Sequence, residues 1–158
     1  MSFRQNDDRS DEKSYELKLK TKNNKQIQSH MKKRIAAVHE FHTAFKLGMN
    51  STPVAHIGDD RNMLRFNLMK EENEEYLEAA QNSDLVEVAD ALGDMLYILC
   101  GTIIEHGMQD KIEEVFNEIQ RSNMSKLGED GKPIYREDGK VLKGPNYFKP
   151  NIAEILEK

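Results

Sequence analysis

Between Glu71 and Asp94 the chain carries nine carboxylates and neither lysine nor arginine. Acids at that density either coat a solvated helix face or turn partly inward and hold a cation. Helical geometry separates the two. At about 100° per residue, Leu64, Leu68 and Ala79 share one apolar arc, and Glu72 and Glu75 fall inside it. Glu71, Glu74 and Glu78 fall beside Asn67 and Lys70 on an ordinary wet face. In the next run Glu87, Asp90 and Asp94 form a stripe about 60° wide. Tyr97 and Gly101 continue it, and Leu85, Ala89, Leu92, Leu96, Leu99 and Ile103 lie opposite. Two consecutive helices thus offer acids at i, i+3 spacing to one inter-helix space. An unpaired carboxylate there is costly or takes up a proton, and several together repel. A hard divalent cation relieves both effects, which points to Mg²⁺, with Mn²⁺ as a substitute. No histidine or cysteine stands beside these acids, which disfavours zinc.

The elements that must position these acids follow from periodicity and capping signals. A helix starts near Ser29, with Met31, Ile35, Val38, His42 and Phe45 at helical spacing and Gly48 as its stop. Asp59 or Asp60 caps a second helix running to about Gln81. Ser83 or Asp84 caps a third, with Glu87 placed to complete a capping box, and Gly107 suits the left-handed residue beyond His106. Asp110 and Glu113 open a fourth, with Ile112, Val115, Phe116 and Ile119 inward, fading near Met124 or Ser125. Two "EDGK" turns then predict an irregular segment or small hairpin, and "NIAEILEK" a short closing helix. The reading is an all-α, antiparallel bundle of about four main helices. Residues 1–28 are too polar to offset chain entropy and read as a tail; 29–158 form a single domain.

Composition narrows the function. The 158 residues carry a net charge of −5 and a pI near 5.6. This argues against a nucleic-acid polymer as partner. No apolar run reaches the ~20 residues of a membrane span, and no secretory signal opens the chain. A single cysteine, Cys100, fits a reducing compartment, with the cytoplasm as the default. Amid Ile98, Leu99 and Ile103 it reads as a buried thiol rather than a nucleophile.

Glu71-Glu72-x-x-Glu75 followed by Glu87-x-x-Asp90 resembles the ExxE…ExxD signature of the all-α nucleoside triphosphate pyrophosphohydrolases, a superfamily that includes the MazG-like enzymes and phosphoribosyl-ATP pyrophosphohydrolase. "DALGDMLYILCGTIIEHG" and "RSNMSKLGEDGKPIYREDGKVLKGPNYFKP" are similar to the second metal helix and C-terminal segment of the phosphoribosyl-ATP pyrophosphohydrolase-like branch. The resemblance covers about residues 35 to 150. It implies a bundle that forms a homodimer or homotetramer, and Mg²⁺-dependent cleavage of a nucleotide between its α and β phosphates. It implies Glu72, Glu75, Glu87 and Asp90 as metal ligands, with Glu72 and Glu75 catalytic. Asp94-Met-Leu-Tyr97 also matches the family's Asp-x-x-Tyr, so Asp94 stays in the ligand set and the choice between Glu87/Asp90 and Asp90/Asp94 stays open. The general base also stays open, with Glu71 and Glu75 as candidates.

The same resemblance implies phosphate or sugar contacts from Arg121, Asn123 and Lys126, with Lys143 a weaker partner; the plain alternative is solvated charge at a helix C-terminus. Tyr97 stacks on a base or simply packs. The family's first helix helps form the base pocket, which marks His42 and Phe45 as base contacts. His39 and His42 lack the HExxH spacing of a zinc protease. Three functions therefore stand: a nucleoside triphosphate pyrophosphohydrolase, a phosphoribosyl-ATP pyrophosphohydrolase, and a non-catalytic helical assembly module.

Overall fold

The structure is a computed structural model that describes residues 30–158. The tail assigned to 1–28 and the helix start near Ser29 lie outside the described residues. Five helices follow: α1 over 30–44, α2 Asp59–Gln81, α3 Leu85–Glu105, α4 Ile112–Met124 and α5 Ile152–Glu157. Among the described residues the only β pairing is a bridge between Tyr135 and Val141, which closes a small hairpin over the second "EDGK" turn. The all-α expectation and the hairpin both hold.

The helices pack because two apolar faces meet on α3. Ile35 and Val38 of α1 close over Cys100, Ile103 and Ile104, with Met31, Met108 and Ile112 around them. Phe41 further along α1 meets Tyr97, so α1 runs antiparallel to α3. α2 packs on α3 along its length. Arg65, early in α2, reaches Ile98, Thr102 and Glu105 late in α3, so this pair is antiparallel too. α4 joins the core through Ile112 and packs on α5.

Local chemistry sets the ends. Of Ser83 and Asp84, Asp84 caps α3 by accepting from the Val86 and Glu87 amides; the expected Glu87 box does not form, because the Asp84 amide donates to the Ala79 carbonyl. Gly107 takes φ +66 just beyond α3, where any β-carbon would meet the Thr52 carbonyl. The expected Asp59 or Asp60 cap is corrected: Gly58, at φ +99, is the N-cap with no side-chain bond. Asp59 and Asp60 instead lie in the first turn, where their charge favours the helix N-terminus. The Asp110–Glu113 box is also corrected, because the helix begins later, at an N-cap of Lys111 that makes no side-chain bond.

Burial departs from the periodicity in one direction. Phe45, Phe116 and Ile119, read as inward, are exposed. So is the leucine stripe of α3, with Leu85 79 % and Leu92 51 % exposed and Leu96 and Leu99 also open. α3 has apolar residues on nearly every side, and one chain supplies helices to cover only part of them. Met63, Phe66 and Leu77 leave a similar apolar face open on α2.

Candidate metal and nucleotide site

Glu72 is the inward acid of the pair of helices. It is half-buried, and its Oε2 is closed off from solvent with no hydrogen-bond partner. Burial pushes its carboxyl above the ordinary carboxylate range, and the charges of Glu75, Asp94, Glu71 and Asp90 push it further. Two of those charges come from α3, so the α2 and α3 acids share one electrostatic space. Glu75 also lines an open polar cleft with Glu78, Asp84 and Glu87 at the α2–α3 turn. Glu75, Glu87, Asp90 and Asp94 are exposed. None of these five acids forms an ion pair among the described residues. No three acidic, histidine or cysteine side chains of the described residues converge closely enough to hold one ion. The backbone thus gathers the expected acids along one seam, and their side chains stand apart along it.

The donor set and the stranded oxygen on Glu72 fit a hard divalent cation. All the groups are carboxyls, such a cation takes oxygen ligands, and a closed-off carboxyl oxygen without a donor suits positive charge.

The cationic candidates sit elsewhere, on α4 and the C-terminal segment. Arg121 forks onto Glu118, with Nε at 2.8 Å and the second nitrogen at 2.9 Å, and lies 4.3 Å over the Phe148 ring. Lys126 donates to the Asn123 side chain at 2.7 Å, and Lys143 lies 4.4 Å over the Tyr147 ring. The chain after the hairpin holds this group in place. Gly144 donates to the Lys126 carbonyl at 2.9 Å, and a β-carbon there would lie 2.1 Å from the Leu127 oxygen. Ser122 donates to the Phe148 carbonyl, the Phe148 amide donates to Ser125, and the Asn151 amide donates to Glu118. None of these cations pairs with an acid of the α2–α3 seam.

Tyr97 turns away from the acids. Its ring meets Phe41 edge-on at 5.7 Å, and both line an apolar cleft between α1, α2 and α3. His42 is buried in the same cleft and donates from Nδ1 to the Gly48 carbonyl at 3.1 Å. Phe45 is exposed, stacked on Phe41 at 4.3 Å.

The floor of that cleft holds a group that sequence reading missed. Glu105 is 2 % exposed, and Arg61 forks onto it, Nε at 2.9 Å and the terminal nitrogen at 2.7 Å. Arg65, 8 % exposed, reaches Glu105 at 3.5 Å, Thr102 Oγ1 at 3.0 Å and the Ile98 carbonyl. The hydrogen bond to Glu105 holds the Arg61 guanidinium above its ordinary value, while burial pulls Arg65 below its own. A signal existed: Arg61 and Arg65 are four apart on the arc that carries Leu64 and Leu68, and Glu105 is the one charge after Asp94 in its helix.

No helix among the described residues is long and apolar enough to cross a membrane. No curated protein matches the chain. Among solved structures, a protein of Exiguobacterium sp. 255-15, provisionally named an NTP pyrophosphohydrolase, is 25% identical with a TM-score of 0.44. That match covers 78% of this chain and 94% of the other. Residues 38–123, more than half of the chain, match the family model of phosphoribosyl-ATP pyrophosphohydrolase, so the chain belongs to that family.

Proposed function

We propose that the protein is a divalent-cation-dependent nucleotide pyrophosphohydrolase. It opens the bond between the α and β phosphates of a nucleoside or deoxynucleoside triphosphate to give a monophosphate and pyrophosphate. The observation that carries the reading is the closed-off, partnerless oxygen of Glu72 amid the charges of Glu75, Asp90 and Asp94. Family membership supports the reaction class.

Glu72 and Glu75 of α2, with Asp90 and either Glu87 or Asp94 of α3, would hold Mg²⁺ or Mn²⁺. When bound, such an ion offsets the charge of the polyphosphate and of the anhydride as it breaks. Arg121, Asn123, Lys126 and Lys143 supply donors for the phosphate oxygens, arginine by its fork and lysine as a point charge. A water attacks one of the two phosphorus atoms, its oxygen forms the new P–O bond, the anhydride P–O bond breaks, and the bridging oxygen leaves with the other product. An exposed carboxylate on the seam takes the proton of that water, and Glu75 and Glu71 are the candidates. The apolar cleft beside Tyr97 and Phe41 suits a base, with His42 at its wall.

The bare leucines of α3 and the apolar face of α2 support a homodimer or homotetramer. Fully burying one such side chain contributes about 1.5–3 kcal/mol. The buried thiol of Cys100 suits a reducing, cytoplasmic setting.

Phosphoribosyl-ATP is the second substrate reading, and the matching family model is equally compatible with it. Pyrophosphate release would be measured for a panel of nucleoside triphosphates and for phosphoribosyl-ATP, with and without Mg²⁺. Turnover is expected for wild type with Mg²⁺, and its loss in Glu75→Gln at unchanged helicity. Absence of turnover on every nucleotide, with a melting curve indifferent to Mg²⁺, would sink the enzyme reading and leave the assembly module.

A further inference from the structure

We propose that Arg65 is a positioning residue for the acid seam: it sets the register of α2 on α3, so that Glu72 and Glu75 stand opposite Asp90 and Asp94. The inference rests on the reading that those acids hold a divalent cation. Arg65 is buried, and each nitrogen of its guanidinium finds a different acceptor on α3. Nε donates to Thr102 Oγ1 at 3.0 Å, one terminal nitrogen donates to the Ile98 carbonyl, and the other faces Glu105 Oε1 at 3.5 Å. These acceptors lie on one stripe of α3, with Thr102 in the middle. Equal steps along antiparallel helices from the Arg65–Thr102 contact bring Glu72 opposite Met95, beside Asp94. The same steps bring Glu75 opposite Leu92, between Asp90 and Asp94, and Ala79 opposite Val88, beside Glu87. The cleft shared by Glu75, Ala79 and Glu87 agrees with this alignment.

Apolar contact between two helices is not directional and tolerates sliding. A planar fork with three fixed acceptors does not slide, because displacement would strand a buried charge. The seam cannot set its own alignment, since its acids share one sign and repel. Gly101 makes room for the clasp: a β-carbon there would stand 2.9 Å from the Arg65 terminal nitrogen and 2.8 Å from His42 Nε2.

The test uses the full chain with Cys100→Ser. Spin labels go on Glu78→Cys of α2 and on Gly93→Cys of α3, where a side chain meets open space, and labelled chains are diluted with unlabelled ones. In Arg65→Met the label–label distance should shift or broaden. Mn²⁺ affinity, read by the signal of the free ion, should fall about ten- to hundredfold. Arg65→Lys keeps a positive charge against Glu105 but loses the fork. It should melt closer to wild type than Arg65→Met does and yet lose as much Mn²⁺ affinity, a split that a purely stabilising role would not produce. If Arg65→Met does not fold, Gly101→Ala, which displaces the guanidinium, takes its place. An unchanged distance together with unchanged Mn²⁺ affinity in a folded variant overturns the proposal. Failure of the wild type to bind Mn²⁺ would instead sink the cation reading, and the distance measurement would still decide whether Arg65 sets the register.

Discussion

The two ends of the α2–α3 pair treat charge in opposite ways. Near the start of α2, Arg61 and Arg65 enclose the Glu105 carboxylate, and each charge meets an opposite one inside the fold. About two helical turns further along, Glu72, Glu75, Asp90 and Asp94 gather with one sign and no cation from the described chain. Charge that meets its opposite within the fold serves the fold, whereas like charge gathered without a partner is set out for something that binds. The contrast is sharper than burial alone, since Glu105 is more deeply buried than any acid of the seam.

Substitutions at each end should break that symmetry in different currencies. Glu105→Ala should have the largest effect, destabilising the chain by about 3–5 kcal/mol because it leaves Arg65 buried without its counter-charge; urea unfolding monitored by circular dichroism measures it. Gly101→Ala should cost about 1–3 kcal/mol by crowding His42 and Arg65, and the same unfolding curves would show it. Glu72→Gln should do the reverse at the other end, raising stability by about 1 kcal/mol while lowering Mg²⁺-dependent pyrophosphate release. The sign follows from the raised carboxyl: folding favours the protonated form of Glu72. Without divalent cation its contribution is therefore lost as pH rises through the ordinary carboxylate range and the raised folded value above it. A thermal melt that is lower for Glu72→Gln than for wild type, both without divalent cation, would contradict this. Lys70→Ala, which removes only the exposed pair with Glu74 at 3.5 Å, should change stability by less than about 0.5 kcal/mol. It serves as the baseline for the other three.

What the sequence made legible was mostly local. The Asp84 cap, the left-handed Gly107, the burial of Cys100 and the hairpin over "EDGK" each depend on a few neighbouring residues, and each is found. The inward setting of Glu72 was also legible from helical phase, but the same phase put Glu75 in the apolar arc and Glu75 is exposed. The shared arc of Arg61 and Arg65 was legible too, but their pairing with Glu105 was not, since it joins residues about forty positions apart. Periodicity also failed on Leu85, Leu92 and Phe116. It identifies an apolar face without saying whether that face is covered within the chain. Asp59 and Asp110 failed as caps because a capping signal fixes the neighbourhood of a helix start, not the residue at which the backbone turns.

Gly144 has a consequence for how the C-terminal third can be handled. The chain passes Lys126 just beyond α4 and returns to the same place at Gly144, where backbone meets backbone too closely for any side chain. The hairpin between is therefore an appendage hung from a closed neck. Lengthening it adds only slowly growing loop entropy, so an affinity tag or fluorophore could be spliced in at the Asp138–Gly139 tip. A protease nick at that tip should leave both fragments joined through Ser122, Ser125 and Glu118.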